Sequence, residues 1–507
     1  MTLTSSLSIA TGGLANIGQQ MTVISNNIAN ASTPGYAEEI STQTSLTASG
    51  QGMGVLTGAV VRQINLQLQA QAFQQNATVA GLQTTQAALQ PVDAAQGTPG
   101  QGSDLASVLG NLQTAFTSLQ GNPASSAAQV QVVNAAGALA GQINNLSTAY
   151  TTARQNAQNN IQSGLTQLNS TIATVSTLTD KIIAAQQGGQ STADLQNQRD
   201  AAMTTMSSLM GVNFIRQPNG GLIAASGGLT ITLTAPPPQF TMANSTISQQ
   251  TYYPGGGIQG IMLGGTDVTS GITGGAIGAN IALRDQTLPT YQGELDEFAN
   301  TLQSRFSSQG LQLFTTPQGG TSTVTPIPVQ TGYVGYAGTI AVNPAVQSNP
   351  AAVRDGNVTV AGSPTGAAAF TPNPSGGPAS FDGLINNLLT YALGTQAQAG
   401  VAQAAPNVAG LGPLGNLSAL FGTPQTLASF ASTLVATQSA DVSTTTAQLA
   451  TETSVQTALQ AQVSSSSGVN TDTELSNMVA LQNSYGANAR IVAAAQAMWT
   501  QLITSVA

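Results

Sequence analysis

The sequence predicts an α+β protein that is mainly α-helical. Apolar residues recur in steps of three and four over both ends and much of the middle of the chain, which is the period of an amphipathic helix. Between these stretches lie short β-branched runs broken by Gly-Gly and Pro, which are typical of short strands and tight turns. The chain has 507 residues, of which 41% are hydrophobic, enough for sizeable cores.

The first predicted element is a helix over about 4–30. Its apolar residues follow a heptad and form one narrow seam. That seam consists of Leu7, Ala10, Leu14, Ile17, Met21, Ile24 and Ile28. Thr33-Pro34-Gly35 then predicts a turn, because Pro presets one turn position and Gly accepts a positive φ at the next.

Long helices are predicted from Ser103 to about Met210. One uninterrupted stripe runs along the longest of them, and Ser191 with Asp194 suggests a capping box for the helix that follows. The stripe comprises Leu139, Ile143, Leu146, Tyr150, Ala153, Ala157, Ile161, Leu165, Leu168, Ile172, Val175, Leu178 and Ile182. The three methionines after Asp194, Met203, Met206 and Met210, are interpreted as core filling.

Short strands and helices are predicted to alternate after Gly211. Strand-like runs extend over 212–273 and helical periodicity returns over 281–306. A Pro/Gly-rich segment, a short helix, a loop and a further helix are predicted over 310–381, 381–393, 396–424 and 427–463.

The last predicted helix carries a second seam with steps of three and four. Thr471 and Glu474 suggest a capping box at its start, and Gly468 precedes it as a helix breaker. The seam consists of Met478, Leu481, Tyr485, Asn488, Val492, Ala495, Trp499, Leu502 and Val506. Asn488 is a polar residue within an apolar seam, a type of residue that can select register. On spacing alone, the two terminal helices fit either an ordinary helical hairpin or a pair that also packs against other copies.

The composition excludes several classes of function. The chain has no Cys and no His, which removes Cys-His and Ser-His-Asp catalysis and thiolate or imidazole metal sites. Its net charge is -9 and its nine basic residues are scattered, so neither nucleic acid nor an anionic membrane is an expected partner. The first 30 residues lack Lys and Arg, so no ordinary secretory signal is predicted.

Two motifs resemble ligand sites but favour simpler interpretations. Residues 255–260 match GxGxxG, yet Tyr252-Tyr253-Pro254 precedes them, so a glycine-rich turn is predicted. Glu294, Asp296 and Glu297 cluster on a helix and are predicted to lie on a solvated face rather than to bind a cation. The sequence therefore singles out no catalytic, cofactor-binding or metal-binding residue, although it leaves open a pair of carboxylates at catalytic separation.

The stretch after the first seam resembles the SNNIANxxTPGY signature of the bacterial flagellar axial proteins, the rod, hook and hook-associated proteins. The residues that carry it are Ser25, Asn26, Asn27, Ile28, Ala29, Asn30, Thr33, Pro34, Gly35 and Tyr36. The run Ser467, Gly468, Val469 and Asn470, with Asp472 and Glu474, is similar to the opening of the last helix in a hook-associated member. Residues 194–200, DLQNQRD, resemble an internal segment of the same member. After Tyr36 the chain has Ala-Glu-Glu where this member usually has Ser-Arg-Gln.

The resemblance implies a nested architecture. Residues 1–62 and 466–507 are expected to form a terminal helical coiled-coil domain. Residues 63–210, 276–310 and 381–465 are expected to form a helical rod domain. A β-rich outer insertion is expected over 211–275 and 311–380.

The resemblance also implies a non-enzymatic structural subunit at the junction between hook and filament, outside the cell and exported without a cleavable signal peptide. The implied partners are other copies in a ring at the hook tip, the hook protein, hook-associated protein 3 and an export chaperone. Both terminal seams are then candidate assembly interfaces. The alternatives are a hook or distal rod protein of the same family, or a secreted carbohydrate-active enzyme or adhesin that uses the β-rich region.

Overall fold

The computed structural model describes residues 3–33, 35–48, 51–98, 100–316, 320, 332–423 and 425–506. Helices make up most of this part of the chain. In chain order they are α1 (Leu3–Asn30), α2 (Leu66–Gln96), α3 (Leu105–Gly121), α4 (Ser126–Gln187), α5 (Ala193–Leu209), α6 (Gly275–Ala282), α7 (Leu288–Ser308), α8 (Pro344–Ser348), α9 (Ala352–Asp355), α10 (Gly383–Asn387), α11 (Leu427–Ser467) and α12 (Thr471–Val506). Single π-helical segments, Leu283–Thr287 and Leu388–Ala392, follow α6 and α10.

The strands are short apart from the first two, and all pair antiparallel. They are β1 (Glu39–Ala48), β2 (Gln51–Arg62), β3 (Asn213–Arg216), β4 (Leu222–Ser226), β5 (Leu229–Thr232), β6 (Phe240–Thr241), β7 (Met262–Leu263), β8 (Thr266–Asp267), β9 (Phe314–Thr315), β10 (Ala341–Val342), β11 (Gln396–Gln398), β12 (Val401–Ala402), β13 (Ala409–Leu411) and β14 (Leu417–Ser418). β3–β4–β5 and β6–β7–β8 form three-stranded sheets, and the remaining strands form two-stranded pairs. The predicted fold class, mainly α with a β-containing insertion, is confirmed.

Helix α4 connects two hydrophobic cores through one apolar stripe. Every residue of the stripe predicted between Leu139 and Ile182 is buried. Its first half packs in a core with α3, α7 and α11, and its second half packs in a core with α5 and the β3–β4–β5 sheet. The predicted core methionines Met203, Met206 and Met210 lie in the second core.

Two local predictions need correction, and both concern helix starts. Thr192, not Ser191, occupies the N-cap of α5 and makes no side-chain cap bond, so no Ser191–Asp194 capping box forms. At α12 the cap is Asn470, whose Oδ1 accepts from the backbone N–H groups of Asp472 and Thr473 at 3.1 and 3.2 Å. In both cases the acidic residue expected to complete the box lies at the joint described below.

The glycine-rich GxGxxG match is a turn, as predicted. Tyr252 bridges Gly256 and Gly257, and Gly255 and Gly257 have φ values of 84° and 91°. The predicted 396–424 loop instead contains the β11–β12 and β13–β14 hairpins.

The two ends of the chain pair with each other as antiparallel helices. Asn27 of α1 contacts Glu474 of α12, and Gly13 lies beside Asn488. A Cβ on Gly13 would lie 3.2 Å from the Asn488 Oδ1, so the glycine allows the helices to approach closely at this point. The β1–β2 hairpin, which the sequence did not reveal, packs against α1.

Candidate functional site

Three sequence motifs from distant parts of the chain meet at one joint. Asn27 and Tyr36 come from the first motif, Asn197 and Asp200 from the internal DLQNQRD segment, and Glu474 from the last helix. We call this meeting point the motif joint. It connects the terminal pair, α1 with α12, to the helical body that begins at α2 and includes α5.

Asn27 is the centre of the motif joint, and its side chain is almost completely buried. Its Nδ2 donates to the Glu39 carbonyl at 2.9 Å and to the Glu474 Oε1 at 3.2 Å. Its Oδ1 accepts from the Glu39 backbone N–H at 3.0 Å and from the Tyr36 hydroxyl at 3.1 Å. One amide side chain therefore links α1, the segment after it, β1 and α12.

Backbone contacts reinforce the motif joint around Ser467. The Glu38 N–H donates to the Ser467 carbonyl at 2.8 Å, and the Asn65 N–H donates to the Ser467 Oγ at 3.3 Å. Asn65 also caps α2, because its Oδ1 accepts from the Leu68 N–H at 3.1 Å. The turn between α11 and α12 is thus bonded to both ends of the β1–β2 hairpin.

A buried ion pair attaches the hairpin to α5. The Arg62 Nη1 lies 2.9 Å from the Asp200 Oδ2, and neither side chain is appreciably exposed. Arg62 also donates to Asn197, and Arg216 from β3 bonds the second Asp200 oxygen at 2.9 Å. A buried pair of this kind contributes more to the fixed geometry of the contact than to net stability, since desolvation offsets much of the attraction.

The electrostatics of the motif joint are dominated by carboxyl groups. Burial, and then the carboxylate of Asp194, raises the pKa of Glu39 to about 7, although Arg62 and Asn197 act in the opposite direction. Burial and the Glu38 carboxylate raise the pKa of Glu474. The pKa of the Tyr36 phenol is raised by burial and by Glu39, Asp194 and Glu474, so this hydroxyl remains a hydrogen-bond donor.

The structure places part of the predicted α1 seam against its partner helix. Ile17 and Ile24 are buried, and Leu7, Leu14, Met21 and Ile28 are half-buried. On α12, Met478, Leu481, Asn488 and Val492 are half-buried. Tyr485, Trp499 and Leu502 remain exposed, with Trp499 and Leu502 exposed by 47% and 57%. Ala495 is buried, so the predicted seam of α12 is at least partly covered from Met478 to Ala495, except at Tyr485, and is open at Trp499 and Leu502.

The remaining motif residues surround the motif joint without entering it. Ser25, Asn26, Ala29, Thr33 and Gly35 are exposed, and Pro34 lies outside the described residues. The Asn30 Nδ2 donates to the Asn26 carbonyl at 3.0 Å. Gly468 and Val469 form the half-buried turn before α12, in which the Gly468 N–H donates to the Ser464 carbonyl at 2.8 Å.

Sequence reasoning missed two sets of exposed apolar side chains. One set lies on α12 outside the predicted seam, and the other lies on the hairpin. These residues are Leu475, Val479, Ile491, Met498 and Ile503 on α12, and Ile40, Leu46, Met53, Val55, Leu56 and Val61 on β1 and β2. The α12 set was detectable, because a helix with apolar residues on two faces carries more hydrophobic surface than one seam accounts for. Because exposed apolar patches mark interaction sites, both sets are candidate interaction residues.

The acidic cluster of α7 is not on a solvated face, so that prediction is wrong. Glu294, Asp296 and Glu297 are at most 3% exposed. Both Asp296 oxygens accept backbone N–H groups, from Gly335 at 2.7 Å and from Ala337 at 2.9 Å. The burial is possible because these carboxylates satisfy loop donors that reach α7 from distant parts of the chain.

The other two carboxylates act in the same way. Glu297 accepts from the Tyr333 hydroxyl and from the Asn407 N–H, and Glu294 accepts from the Leu420 N–H at 2.9 Å. Burial raises the pKa of Glu294 and of Asp296 to about 7. Across the described ranges, no group of three or more acidic side chains is arranged to hold a metal ion. The cluster is a structural clamp on the loops that cover α7.

Three family models match different parts of the chain. The model of the flagellar hook-associated protein FlgK helical domain matches residues 89–320. The flagella basal body rod protein model matches residues 7–36, and the model of the flagellar basal body rod FlgEFG protein C-terminal region matches residues 460–505. Both paired ends and the helical middle are thus matched independently. The chain belongs to the family of bacterial flagellar rod, hook and hook-associated proteins.

This axial protein is a structural component of the flagellum, and its helical body is of the hook-associated type. Comparison with the curated proteins gives no match. Among solved structures, the chain is similar to the flagellar hook junction protein FlgK from Burkholderia pseudomallei, with 24% sequence identity and a TM-score of 0.40. That match covers 51% of this chain and 46% of the other, so it spans less than half of the solved protein. In the part of this chain that the structure describes, no helix has the length and apolar character to cross a bilayer.

Proposed function

We propose that this axial protein is the subunit that joins the hook to the filament and that filament assembly needs it. The observation that carries the proposal is the match of residues 89–320 to the helical domain of a hook-associated protein, between two ends that match rod-type models. The β-rich segment 211–275 then forms an outer insertion on a helical rod domain. The described part of 311–380, expected to belong to the same insertion, has only the two-residue strands β9 and β10, and its apolar residues pack in the first core with α4 and α7. The ends, 1–62 and 466–507, form the terminal domain.

The open end of α12 supports an assembly interface there. The antiparallel register that pairs Asn27 with Glu474 and Gly13 with Asn488 places Leu3 opposite Met498. Trp499 and Leu502 therefore extend beyond the described start of α1, and both are exposed. Burying apolar surface releases about 25 cal/mol per Å², so contacts by these side chains with neighbouring subunits would stabilise a ring.

The proposed partners follow from this position in the flagellum. They are other copies of this chain in a ring at the hook tip, the hook protein on one side, and hook-associated protein 3 on the other. An export chaperone that covers the exposed apolar side chains of α12 before secretion completes the set. Export through the channel of the flagellum itself, without cleavage, is part of the same proposal.

Immunogold labelling of purified flagella tests the position directly. Antibodies against the full chain should label one narrow zone where the hook ends and the filament begins. A strain that lacks the gene should make hooks of normal length that carry no filament, and the gene supplied in trans should restore filaments.

The other positions in the flagellum give different labelling. Label along the whole hook, or in the basal body, would replace the proposal with a hook or distal rod protein. Filaments of normal number and length in the deletion strain would contradict a role in filament assembly.

A further inference from the structure

An open apolar cavity lies between α2, α5 and β3. Its volume is about 300 Å³, and its apolar lining includes Phe73 of α2, Met203 of α5 and Phe214 of β3. The two phenylalanine rings pack edge to face with their centroids 5.2 Å apart. Since an apolar cavity of about 150 Å³ holds a benzene molecule, this cavity has room for a complete aliphatic side chain from another molecule.

Hydrogen bonds between its three walls fix the shape of the cavity. The Asn76 Nδ2 of α2 donates to the Thr204 carbonyl and to the Ser207 Oγ of α5, at 2.9 and 2.8 Å. The Gln74 Nε2 of α2 donates to the Asn213 Oδ1 of β3. A side chain that enters therefore meets a preformed site, so little binding free energy is lost to rearrangement of the walls.

The accessible charge at the cavity is positive. Among the described residues that line it, only Arg216 is charged, and its Nη2 bonds the Asp200 Oδ1 at 2.9 Å and the Gln69 Oε1 at 2.6 Å. The other Asp200 oxygen bonds Arg62, so one carboxylate lies between two guanidinium groups. The Arg62 side chain is buried, whereas that of Arg216 is 23% exposed. Glu39 of the motif joint is buried and does not line the cavity. Arg216 thus offers a fixed positive charge at the edge of an apolar site.

The first turns of α12 carry an exposed carboxylate beside exposed apolar side chains. Asp472, Leu475 and Val479 follow one another at steps of three and four, so they lie on one face of the helix. All three are exposed, Leu475 by 51% and Val479 by 57%. Glu474, in contrast, is buried in the motif joint. We call the three exposed residues the α12 start face.

Charge distinguishes the α12 start face from the other exposed apolar side chains. Over the ranges that the structure describes, Leu475 is the one large exposed apolar residue with an exposed carboxylate within a helical turn of it in sequence. Glu452, one turn before the exposed Val455, is half-buried and already bonded by Gln75, and Ile491 follows Arg490. An apolar side chain with a negative charge beside it is complementary to an apolar cavity with a positive charge at its edge.

We propose that Leu475 of one copy of this chain enters the cavity of a second copy, where Asp472 pairs with Arg216. Arg216 keeps the bonds that its Nη2 makes within its own chain, and Val479 packs against the exposed Leu66 at the mouth of the cavity. Each copy carries both halves of the contact, so the cavity of every copy can be filled by a neighbour. The contact is independent of the position of the chain in the flagellum.

Sedimentation of the purified full chain over a range of concentrations measures this contact. The unsubstituted chain should associate as its concentration rises. Leu475→Ala removes the apolar anchor and should weaken association about tenfold or more, while Asp472→Asn should weaken it roughly threefold and reduce its dependence on salt. Ala70→Leu fills the cavity from an exposed position in its lining and should block association. The matched control is Ala87→Leu, exposed on the same helix but outside the lining, which should associate normally.

Cross-linking between two cysteine variants identifies the surfaces that meet. The chain has no Cys, so Gln67→Cys, next to Leu66, and Ser476→Cys, next to Leu475, supply the only thiols in a mixture of the two variants. Both positions are exposed, and a short bis-maleimide should join the two variants into a dimer. In the matched control, Gln131→Cys at an exposed position on α4 replaces Gln67→Cys and should give little product.

Combining these substitutions tests the direction of the contact. A chain with Leu475→Ala retains its cavity, and a chain with Ala70→Leu retains its anchor. Cross-linking should therefore succeed when Gln67→Cys is on the first chain and Ser476→Cys is on the second, and it should fail when the two cysteines are exchanged. Contact through any other pair of surfaces would give equal yields in the two arrangements.

Circular dichroism and thermal melting verify that each variant is folded. Should Ala70→Leu unfold, Leu475→Ala provides the second test, because its side chain is exposed in the free chain. A chain that stays monomeric at every concentration would overturn the proposal. Equal cross-linking from Gln67→Cys and Gln131→Cys, or equal yields in the two exchanged arrangements, would overturn it as well. These outcomes leave the immunogold labelling expected above unaffected, so the two proposals fail separately.

Discussion

Replacing Asn27 by Ala should open the motif joint while leaving the helical body folded. The side chain makes four hydrogen bonds, to both backbone groups of Glu39, to Tyr36 and to Glu474. Alanine removes all four and leaves the buried Glu39 N–H without an acceptor. None of these partners belongs to either hydrophobic core.

The size of the effect follows from those four bonds. A hydrogen bond contributes about 0.5–1.5 kcal/mol net, and a buried group left without a partner adds to the loss. Since neighbouring bonds are not additive, about 2–4 kcal/mol is expected for the local opening reaction. Because each 1.4 kcal/mol is tenfold, the opening equilibrium should rise roughly thirtyfold to several hundredfold.

Native-state hydrogen exchange on the full chain measures this opening. Amides in 27–40 and 467–476 should exchange faster by that factor, while those of α4 should be unchanged. Asn26→Ala is the matched control, since Asn26 belongs to the same motif but is exposed. Equal acceleration in both variants would refute the role of Asn27, as would faster exchange throughout α4.

Three further predictions concern the ends and the core. Trp499→Ala with Leu502→Ala should leave the melting temperature of the free chain nearly unchanged, because both side chains are exposed, but should prevent filament growth; normal flagellation would contradict it. Deletion of 1–30 should leave the helical body folded by circular dichroism, because α1 lies outside both cores, while abolishing assembly; loss of most helix would contradict it. The free energy of unfolding should fall as the pH rises from about 5 to 8, because burial raises the pKa values of Glu294 and Asp296 to about 7. The stabilisation from these two protonated carboxyl groups is complete only below the pKa values that they have in the unfolded chain, and it is lost as the pH rises through 7. Glu294→Gln should flatten that dependence in urea titrations, and an unchanged slope would count against the assignment.

Most of the helical body was predictable because its information is local, but α2 (Leu66–Gln96) was not among the predicted helices. The apolar residues of the α4 stripe recur in steps of three and four in the sequence, and every one of them is buried in the structure, as this spacing predicts. The paired ends were predictable for the same reason, although spacing alone could not show how much of each seam the partner covers. The open C-terminal end of α12 depends on the register of the pair, and long-range contacts set that register.

The buried carboxylates of α7 show where local reasoning fails. An acidic cluster on a helix normally marks a solvated face, and its own neighbours in sequence gave no other indication. The donors that compensate Glu294, Asp296 and Glu297 come from loops at 335–337, 407 and 420, far away in the chain. The burial of these three carboxyl groups therefore depends on long-range contacts and could not be predicted from the sequence of α7 alone. The same limit hid the β1–β2 hairpin, whose polar and glycine-rich strands lack a clear alternation.

The motifs that identify the family supply the residues of the motif joint, and these residues fix how the two ends of the chain pair. An apolar seam can slide by a heptad at modest cost, since one hydrophobic contact replaces another. A buried amide with four specific partners cannot slide, because each displacement leaves several polar groups unsatisfied. Asn27 therefore fixes the register of α1 against α12, and the Arg62–Asp200 pair fixes the hairpin against α5. The two kinds of contact therefore act differently: the seams supply apolar area, while the polar joint fixes where the two ends meet the body.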